Sequence, residues 1–188
     1  MLTSYHGTYA HLVPCILKNG FRCRRNEEHW LGNGIYFFLD IELAKWWATG
    51  PTKSFGSLSM NNSLKSGNNK PAIIKALIDS NDVNTIDTRN LEHYQWLIDL
   101  YPDFEAAMKE KNPHFEKVDC RKKRCAFFDW LHSEYPIDIV IAGFIKMKKD
   151  NYDKISPLYY NFRIPYIEYQ LCVFDTGLIK SIERVDLK

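Results

Sequence analysis

Short apolar segments of two kinds are spread along the whole chain, and this mixture is the strongest constraint on its fold. Strand-like segments occupy residues 3–6, 34–38, 71–79, 137–145, 166–174 and 178–185. Helix-like segments, in which apolar residues recur three or four apart, occupy residues 9–21, 40–48, 88–111 and 125–135. The two kinds do not alternate strictly, as they would in a doubly wound sheet. The pattern therefore predicts an α+β fold.

Three local features refine this prediction. Asp40 is suited to cap the second predicted helix, and Pro102 is a candidate break point in the third. Residues 51–70 are rich in Ser, Asn, Gly and Lys and predict a long loop. Loops of this length are often lids or binding loops, although a passive excursion fits the composition equally well.

The length and composition favour one soluble domain. The chain has 188 residues, of which 45% are hydrophobic, enough for a real core. We expect a single domain over 1–188 with a helical insertion at about 88–135. No signal peptide and no run of about 20 apolar residues is visible, so we expect neither export nor a membrane span.

The five cysteines favour free thiols in a reducing cytoplasm, because their number is odd. Cys120 and Cys125 form a pair, but no second His/Cys pair with suitable spacing follows them. Zinc sites usually need such a second pair. We therefore expect no metal.

Charge is uneven along the chain although the formal net charge is only +2. Residues 109–124 contain seven Lys/Arg and three Asp/Glu, a local net charge of 7 − 3 = +4. One interpretation is a solvated helix end or loop. The other is a phosphate-facing patch in a nucleic-acid or dinucleotide site.

The segments YHGT (5–8) and WLGNGIYFF (30–38) hold the candidate site residues. A held imidazole at His6 would donate a hydrogen bond to a ligand hydroxyl, and Gly7 would let a planar amide approach the backbone. Tyr36 offers a ring face and a hydroxyl, and Trp46 and Trp47 offer a second face. Together they describe a slot for a flat, amide-bearing heterocycle on a sugar, such as nicotinamide riboside.

The ordered series YHGT (5–8), ILKNGFR (16–22), GNGIYF (32–37) and LAKWWA (43–48) resembles the poly(ADP-ribose)-polymerase-like ADP-ribosyltransferases. This is the His-Tyr-Glu branch of the diphtheria-toxin-like fold. The resemblance implies two small antiparallel sheets that form an NAD cleft, flanked by helices. It is dense over 5–48 and returns at 166–185, whereas 49–165 shows no family motif.

The resemblance also implies roles for individual residues. His6 would bind the ribose hydroxyls of NAD, the Gly7 backbone would bind the carboxamide, and Arg22 would lie near the adenosine or phosphates. Tyr36 would stack on nicotinamide, with Trp46 or Trp47 opposite. The implied NAD-binding residues are His6, Gly7, Thr8, Arg22, Gly34, Tyr36, Trp46 and Trp47. A serine that the family often carries is replaced by Leu43, a loss for which Thr8 would compensate.

The third catalytic residue has two candidates in EYQLCVFD (168–175). Matching the family's Glu-Tyr pair selects Glu168, whereas matching the tail of its strand selects Gln170. The two residues are two positions apart, so both would face the same side of a strand. A carboxylate there would stabilise the positive charge that develops on the ribose, or deprotonate the acceptor.

The resemblance implies an NAD-dependent mono-ADP-ribosyltransferase with His6, Tyr36 and Glu168 or Gln170 as catalytic residues. The acceptor would be a macromolecule, with nucleic acid, RNA in particular, slightly favoured over protein. The family group includes bacterial toxins and phage-defence enzymes, which would imply a neutralising antitoxin. Two alternatives stay open: an NAD glycohydrolase, and a non-catalytic module that binds NAD or ADP-ribose.

Overall fold

The computed structural model describes residues 1–49, 70–81, 84–145 and 167–186. In these ranges the strands are β1 (Leu2–Tyr9), β2 (Ile35–Phe38), β3 (Pro71–Ile78), β4 (Thr85–Asp87), β5 (Ile139–Ile145), β6 (Ile167–Val173) and β7 (Ile179–Val185). The helices are α1 (Val13–Asn19), α2 (Ile41–Thr49), α3 (Leu91–Lys111) and α4 (Cys120–Glu134). Two single-turn 3-10 helices cover Phe115–Lys117 and Thr176–Leu178.

All seven strands form one sheet in the order β4-β5-β6-β2-β1-β3-β7. Neighbouring strands are antiparallel except β4 and β5, which are parallel. The α+β prediction is thus confirmed, whereas the expected division into two small, fully antiparallel sheets is not. In the described residues β1 and β2 are paired only through Tyr5 and Phe38. The middle of the sheet is therefore its most weakly paired junction.

The two faces of the sheet are buried by different helices. One face, here called the α1 face, packs with α1 and Phe21 around Phe37, Ile74 and Leu171. The opposite face, here called the α4 face, carries two clusters. Helix α2 covers β1 and β3 there, and α3 and α4 cover the part built from β4, β5 and β6.

The end of β1 and the start of α1 differ from the sequence prediction because β1 pairs with β3 along its whole length. Strand β1 continues to Tyr9, since its whole length pairs with β3 from Leu2↔Ile78 to Tyr9↔Pro71. Helix α1 consequently begins only at Val13, with Pro14 in its first turn, where a missing N–H costs nothing. It ends at Asn19, directly before Gly20, the residue predicted to stop it, which has a positive φ of 73°.

The two helices of the central region differ from the prediction at their first residues: α3 begins at Leu91 rather than at residue 88, and α4 begins five residues before the predicted residue 125. Pro102 lies inside α3 without ending it. Helix α4 begins at Cys120 because Asp119 caps it by accepting a hydrogen bond from the Arg121 N–H. Strand β4, only three residues long, was not predicted.

Residues 51–69 of the predicted loop lie outside the described residues. Of the helices in the described ranges, none combines the length and the apolar character that crossing a membrane requires.

Candidate functional site

The three predicted catalytic motifs lie on three neighbouring strands at the centre of the sheet. His6 is in β1, Tyr36 is in β2, and Glu168 and Gln170 are in β6. The sheet order places β6, β2 and β1 side by side. Gln170 is opposite Phe38, which in turn is opposite Tyr5. The structure therefore brings the backbones of the three motifs together.

The side chains of these motifs do not all share one face. The His6 ring makes edge contacts with Phe21 and Phe37, with ring centroids 4.9 Å and 5.9 Å away, and so lies on the α1 face. Tyr36 precedes Phe37 in the strand and packs on the α4 face. Thr8, two residues after His6, is buried on the His6 side. The sequence alone did not predict this separation of the imidazole from the phenol.

His6 joins the two strands where their pairing stops. Its Nδ1 lies 2.7 Å from the carbonyl oxygen of Tyr36. A carbonyl oxygen only accepts hydrogen bonds, so Nδ1 carries the proton and donates. Burial lowers the pKa of His6, which favours the neutral ring. In this tautomer Nε2 is an acceptor, so toward a ligand hydroxyl His6 would accept rather than donate, contrary to our expectation.

The gap beside His6 leaves part of β1 without a strand partner on the β2 side. Beyond Tyr5↔Phe38, toward Tyr9 and Ile35, no register pair joins β1 to β2 in the described part of the chain. An unpaired strand edge presents N–H and C=O groups. A planar carboxamide needs one donor and one acceptor of this kind, so the edge has the chemistry expected for an amide-binding slot.

The two site glycines have packing reasons that need no ligand. A Cβ at Gly7 would collide with the carbonyl oxygen of Ala44 and lie 3.1 Å from the Ala48 backbone nitrogen, so α2 lies directly on β1 at this point. A Cβ at Gly34 would lie 2.7 Å from the Val173 carbonyl oxygen. Both glycines therefore permit close packing of elements.

The Tyr36 hydroxyl is held by the preceding loop. It donates to the Gly32 carbonyl oxygen at 2.8 Å and accepts from the Leu31 N–H at 2.5 Å. Burial raises the pKa of Tyr36 above its ordinary value, so the phenol stays neutral. Gly32 has φ = 82°, a conformation that glycine adopts without strain.

This loop is fastened to α4 by a carboxylate that the sequence analysis missed. Asp129 Oδ1 accepts from the Asn33 backbone N–H and Oδ2 from the Asn33 side-chain amide, both at 2.6 Å. Asn33 Oδ1 in turn accepts from the Asn26 N–H at 2.7 Å. The Gly-Asn-Gly segment is therefore a docking motif that fixes Tyr36. No sequence signal connects Asn33 with a residue 96 positions away.

Glu168 and Gln170 form a buried polar pair on the α4 face. Each is only 5% exposed, and Gln170 Nε2 donates to Glu168 Oε1 at 3.0 Å. The prediction that they share one side of a strand is confirmed. The Glu168 carboxylate is the group suited to stabilising a positive charge. The Gln170 amide carries no charge, but its hydrogen bond holds that carboxylate in position.

The remaining predicted site residues surround this region at different depths. Trp46 and Trp47 are half-buried in α2, and the Trp47 ring lies 6.0 Å from that of Phe38 on the α4 face. Arg22 is exposed directly after Phe21, the residue that contacts His6. Leu43 is buried in the α2 cluster.

Three of the seven basic residues in the run at 109–124 pair with carboxylates of the chain. Lys122 Nζ lies 2.8 Å from Glu27 Oε2, and Arg121 pairs with Asp119 at 3.1 Å and with Glu28 at 3.6 Å. Lys109 pairs with Glu105 at 3.0 Å. These exposed pairs match the solvated helix end better than a phosphate-facing patch. Arg124 pairs with no carboxylate in the described part of the chain, and its guanidinium lies over the Trp30 ring at 4.8 Å.

The cysteines near this region are poor nucleophiles. Burial raises the pKa of Cys125 to about 11, and the nearby Asp129 carboxylate adds to the shift. A thiol with this pKa is protonated at neutral pH. Among the described residues no group of His, Cys, Asp and Glu could hold a metal ion.

Comparison of the chain with protein-family models, with curated proteins and with solved structures finds no match.

Proposed function

We propose that the chain is an NAD-dependent mono-ADP-ribosyltransferase with an ADP-ribosyltransferase fold, whose pyridine-binding site lies at the junction of β1 and β2. One observation carries the proposal: His6 Nδ1 is anchored on the Tyr36 carbonyl at the point where these strands stop pairing. The hydrogen bond fixes Nε2 of His6, an acceptor, next to an unpaired strand edge. The nitrogen would bind a ribose hydroxyl of NAD, and the strand edge would bind the carboxamide.

The buried pair in β6 would supply the charge that the chemistry needs. The pair lies on the α4 face and the His6 imidazole on the α1 face, so NAD would extend through the unpaired gap between β1 and β2 to reach both. In the transfer, the bond between the ribose carbon and the nicotinamide nitrogen breaks and a bond to the acceptor nucleophile forms. The Glu168 carboxylate would stabilise the developing positive charge and take the proton of the acceptor. Gln170 would hold that carboxylate through its hydrogen bond to Oε1.

The acceptor in this proposal is a macromolecule that receives a single ADP-ribose. The internal pairing of Lys109, Arg121 and Lys122 weakens the electrostatic argument for nucleic acid, so protein and RNA are both included in the test below. The resemblance to toxins and phage-defence enzymes extends the proposal to a cytoplasmic effector with a neutralising antitoxin.

A second candidate is a module that binds NAD or ADP-ribose without turnover. The observation that favours it is the placement of the His6 imidazole on the α1 face, whereas Tyr36 and the Glu168–Gln170 pair are on the α4 face. Calorimetry that detects NAD binding, together with no nicotinamide release, would select this candidate over the enzyme.

Nicotinamide release from NAD tests the proposed activity. Purified chain is incubated with labelled NAD alone, with RNA, with DNA and with lysate protein. We expect release and label transfer with one acceptor class, and a loss of at least about 100-fold in Glu168→Gln because the carboxylate charge is removed. Gln170→Ala should lose less, because the charge remains. His6→Ala should abolish release, with the exposed His11→Ala as the matched control.

Normal turnover by His6→Ala or Glu168→Gln, in variants that retain the wild-type fold, would contradict the assignment. Steady release without any acceptor would identify an NAD glycohydrolase instead.

A further inference from the structure

A cleft of about 480 Å³ lies on the α4 face between α3, α4 and β5. Its lining is mainly apolar and aromatic and includes Leu97, Tyr101, Phe127, Phe128, Ala142 and Phe144. Three lining residues on α3 are partly exposed to solvent: Tyr94 (50%), Ile98 (48%) and Tyr101 (43%). The cleft is therefore open to solvent along α3. Volume and lining of this kind are typical of small-molecule sites.

Among the described residues that line this cleft, Arg124 is the one that carries a charge. Its guanidinium lies over the rings of Trp30 at 4.8 Å and Phe144 at 5.3 Å. Its Nε is buried and has no hydrogen-bond partner, and no carboxylate in the described part of the chain pairs with it. The side chain as a whole is only half-buried, so a ligand in the cleft would supply an acceptor to its terminal N–H groups rather than to Nε.

We propose that this cleft binds a small, flat, apolar molecule that carries one anionic group, with the anion on Arg124. The aromatic lining provides stacking surfaces, and the guanidinium provides a charge-assisted donor for a carboxylate, sulfonate or phosphate. The floor residues Ala142 and Phe144 are opposite Gln170 and Glu168 in the register of β5 and β6. The ligand therefore lies one strand away from the buried polar pair.

The lining separates this site from the proposed NAD site and from a nucleic-acid surface. A dinucleotide carries two phosphates and two ribose units, which one arginine in an apolar cleft does not match. The neighbouring cations Arg121 and Lys122 are paired with Glu28 and Glu27, so a strand of phosphates finds few free partners here. The inference does not depend on the proposed enzymatic activity.

Two fluorescent probes with the same ring system test this site on the intact chain without NAD. 8-Anilinonaphthalene-1-sulfonate carries one anion, and N-phenyl-1-naphthylamine lacks it. We expect the wild type to bind the sulfonate about tenfold or more tightly than the neutral probe, the usual effect of a charge-assisted hydrogen bond. In Arg124→Met this preference should disappear while the neutral probe still binds. Arg124→Lys should keep part of it.

Arg121→Met, on the same helix but 44% exposed, is the matched control and should leave the preference unchanged. A preference that survives in Arg124→Met, or that is lost equally in Arg121→Met, would overturn the proposal. If Arg124→Met does not fold, the variant Ile98→Glu, at the mouth of the cleft, replaces it. The added carboxylate must then lower the affinity for the sulfonate probe more than the affinity for the neutral probe. Equal weakening there would also overturn it.

Discussion

At the scale of single residues, His6 is the side chain on which the functional proposal depends. Its Nδ1–H is committed to the Tyr36 carbonyl, so its chemistry toward a ligand is that of an acceptor at Nε2. Protonation would turn Nε2 into a donor and place a charge in a half-buried site. The structure therefore favours neutral His6.

The lowered pKa of His6 makes a prediction about pH and stability. The unfolded chain binds a proton at this residue near pH 6.5, whereas the folded chain resists protonation until a lower pH. The stabilising contribution is thus fully present above pH 6.5 and is lost as the pH falls from 6.5 to the folded pKa. Denaturant unfolding between pH 8 and 5 should show a steeper loss of stability in wild type than in His6→Asn.

NMR titration of the same wild-type and His6→Asn samples measures the pKa of His6 directly. We expect His6 to titrate below 6.5 with its proton on Nδ1 in the neutral form. Titration at or above 6.5, or parallel stability curves for the two proteins, would contradict this account of His6.

At the scale of elements, the packing of α2 on β1 fixes the position of the candidate site. The Ala44 carbonyl approaches β1 at Gly7 so closely that no side chain fits between them. Backbone atoms cannot move aside as a flexible side chain can. The glycine in the His-Gly pair is therefore required by the fold.

Gly7→Ala should consequently destabilise the protein by about 1–3 kcal/mol, the usual cost of overpacking a close contact. Gly177→Ala is the matched control: its Cβ would approach only the side chain of Asp175, at 3.1 Å, and should change stability by less than about 0.5 kcal/mol. Chemical denaturation of the three proteins measures both effects. Equal stability of Gly7→Ala and wild type would show that α2 does not lie directly on β1.

Element types followed from the sequence because the apolar periods of strands and helices differ. Strand β4 escaped prediction since three residues are too few to show a period, and β1 was predicted too short because its last residues are ordered by pairing with β3. The shared face of Glu168 and Gln170 follows from the two-residue period of one strand. Whether His6 and Tyr36 lie on the same face of the sheet cannot be predicted in this way, because it depends on the register between two strands.

At the scale of the whole molecule, the sheet consists of two well-paired parts that meet at one weak junction. Strands β3 and β1 share eight register pairs and β2 and β6 share four, whereas β1 and β2 share the single pair Tyr5↔Phe38 in the described residues. Helix α2 packs on β1 and β2 at this junction on the α4 face. The central claim of this account is that the junction binds the pyridine end of NAD.

An NMR titration of the isotopically labelled intact chain with NAD tests that claim most directly. We predict that saturating NAD shifts the backbone amide signals of Gly7, Thr8 and Tyr36, that His6→Ala removes these shifts, and that His11→Ala keeps them. Shifts confined to residues distant from the junction, or unchanged spectra of the folded wild type at saturating NAD, would contradict the claim.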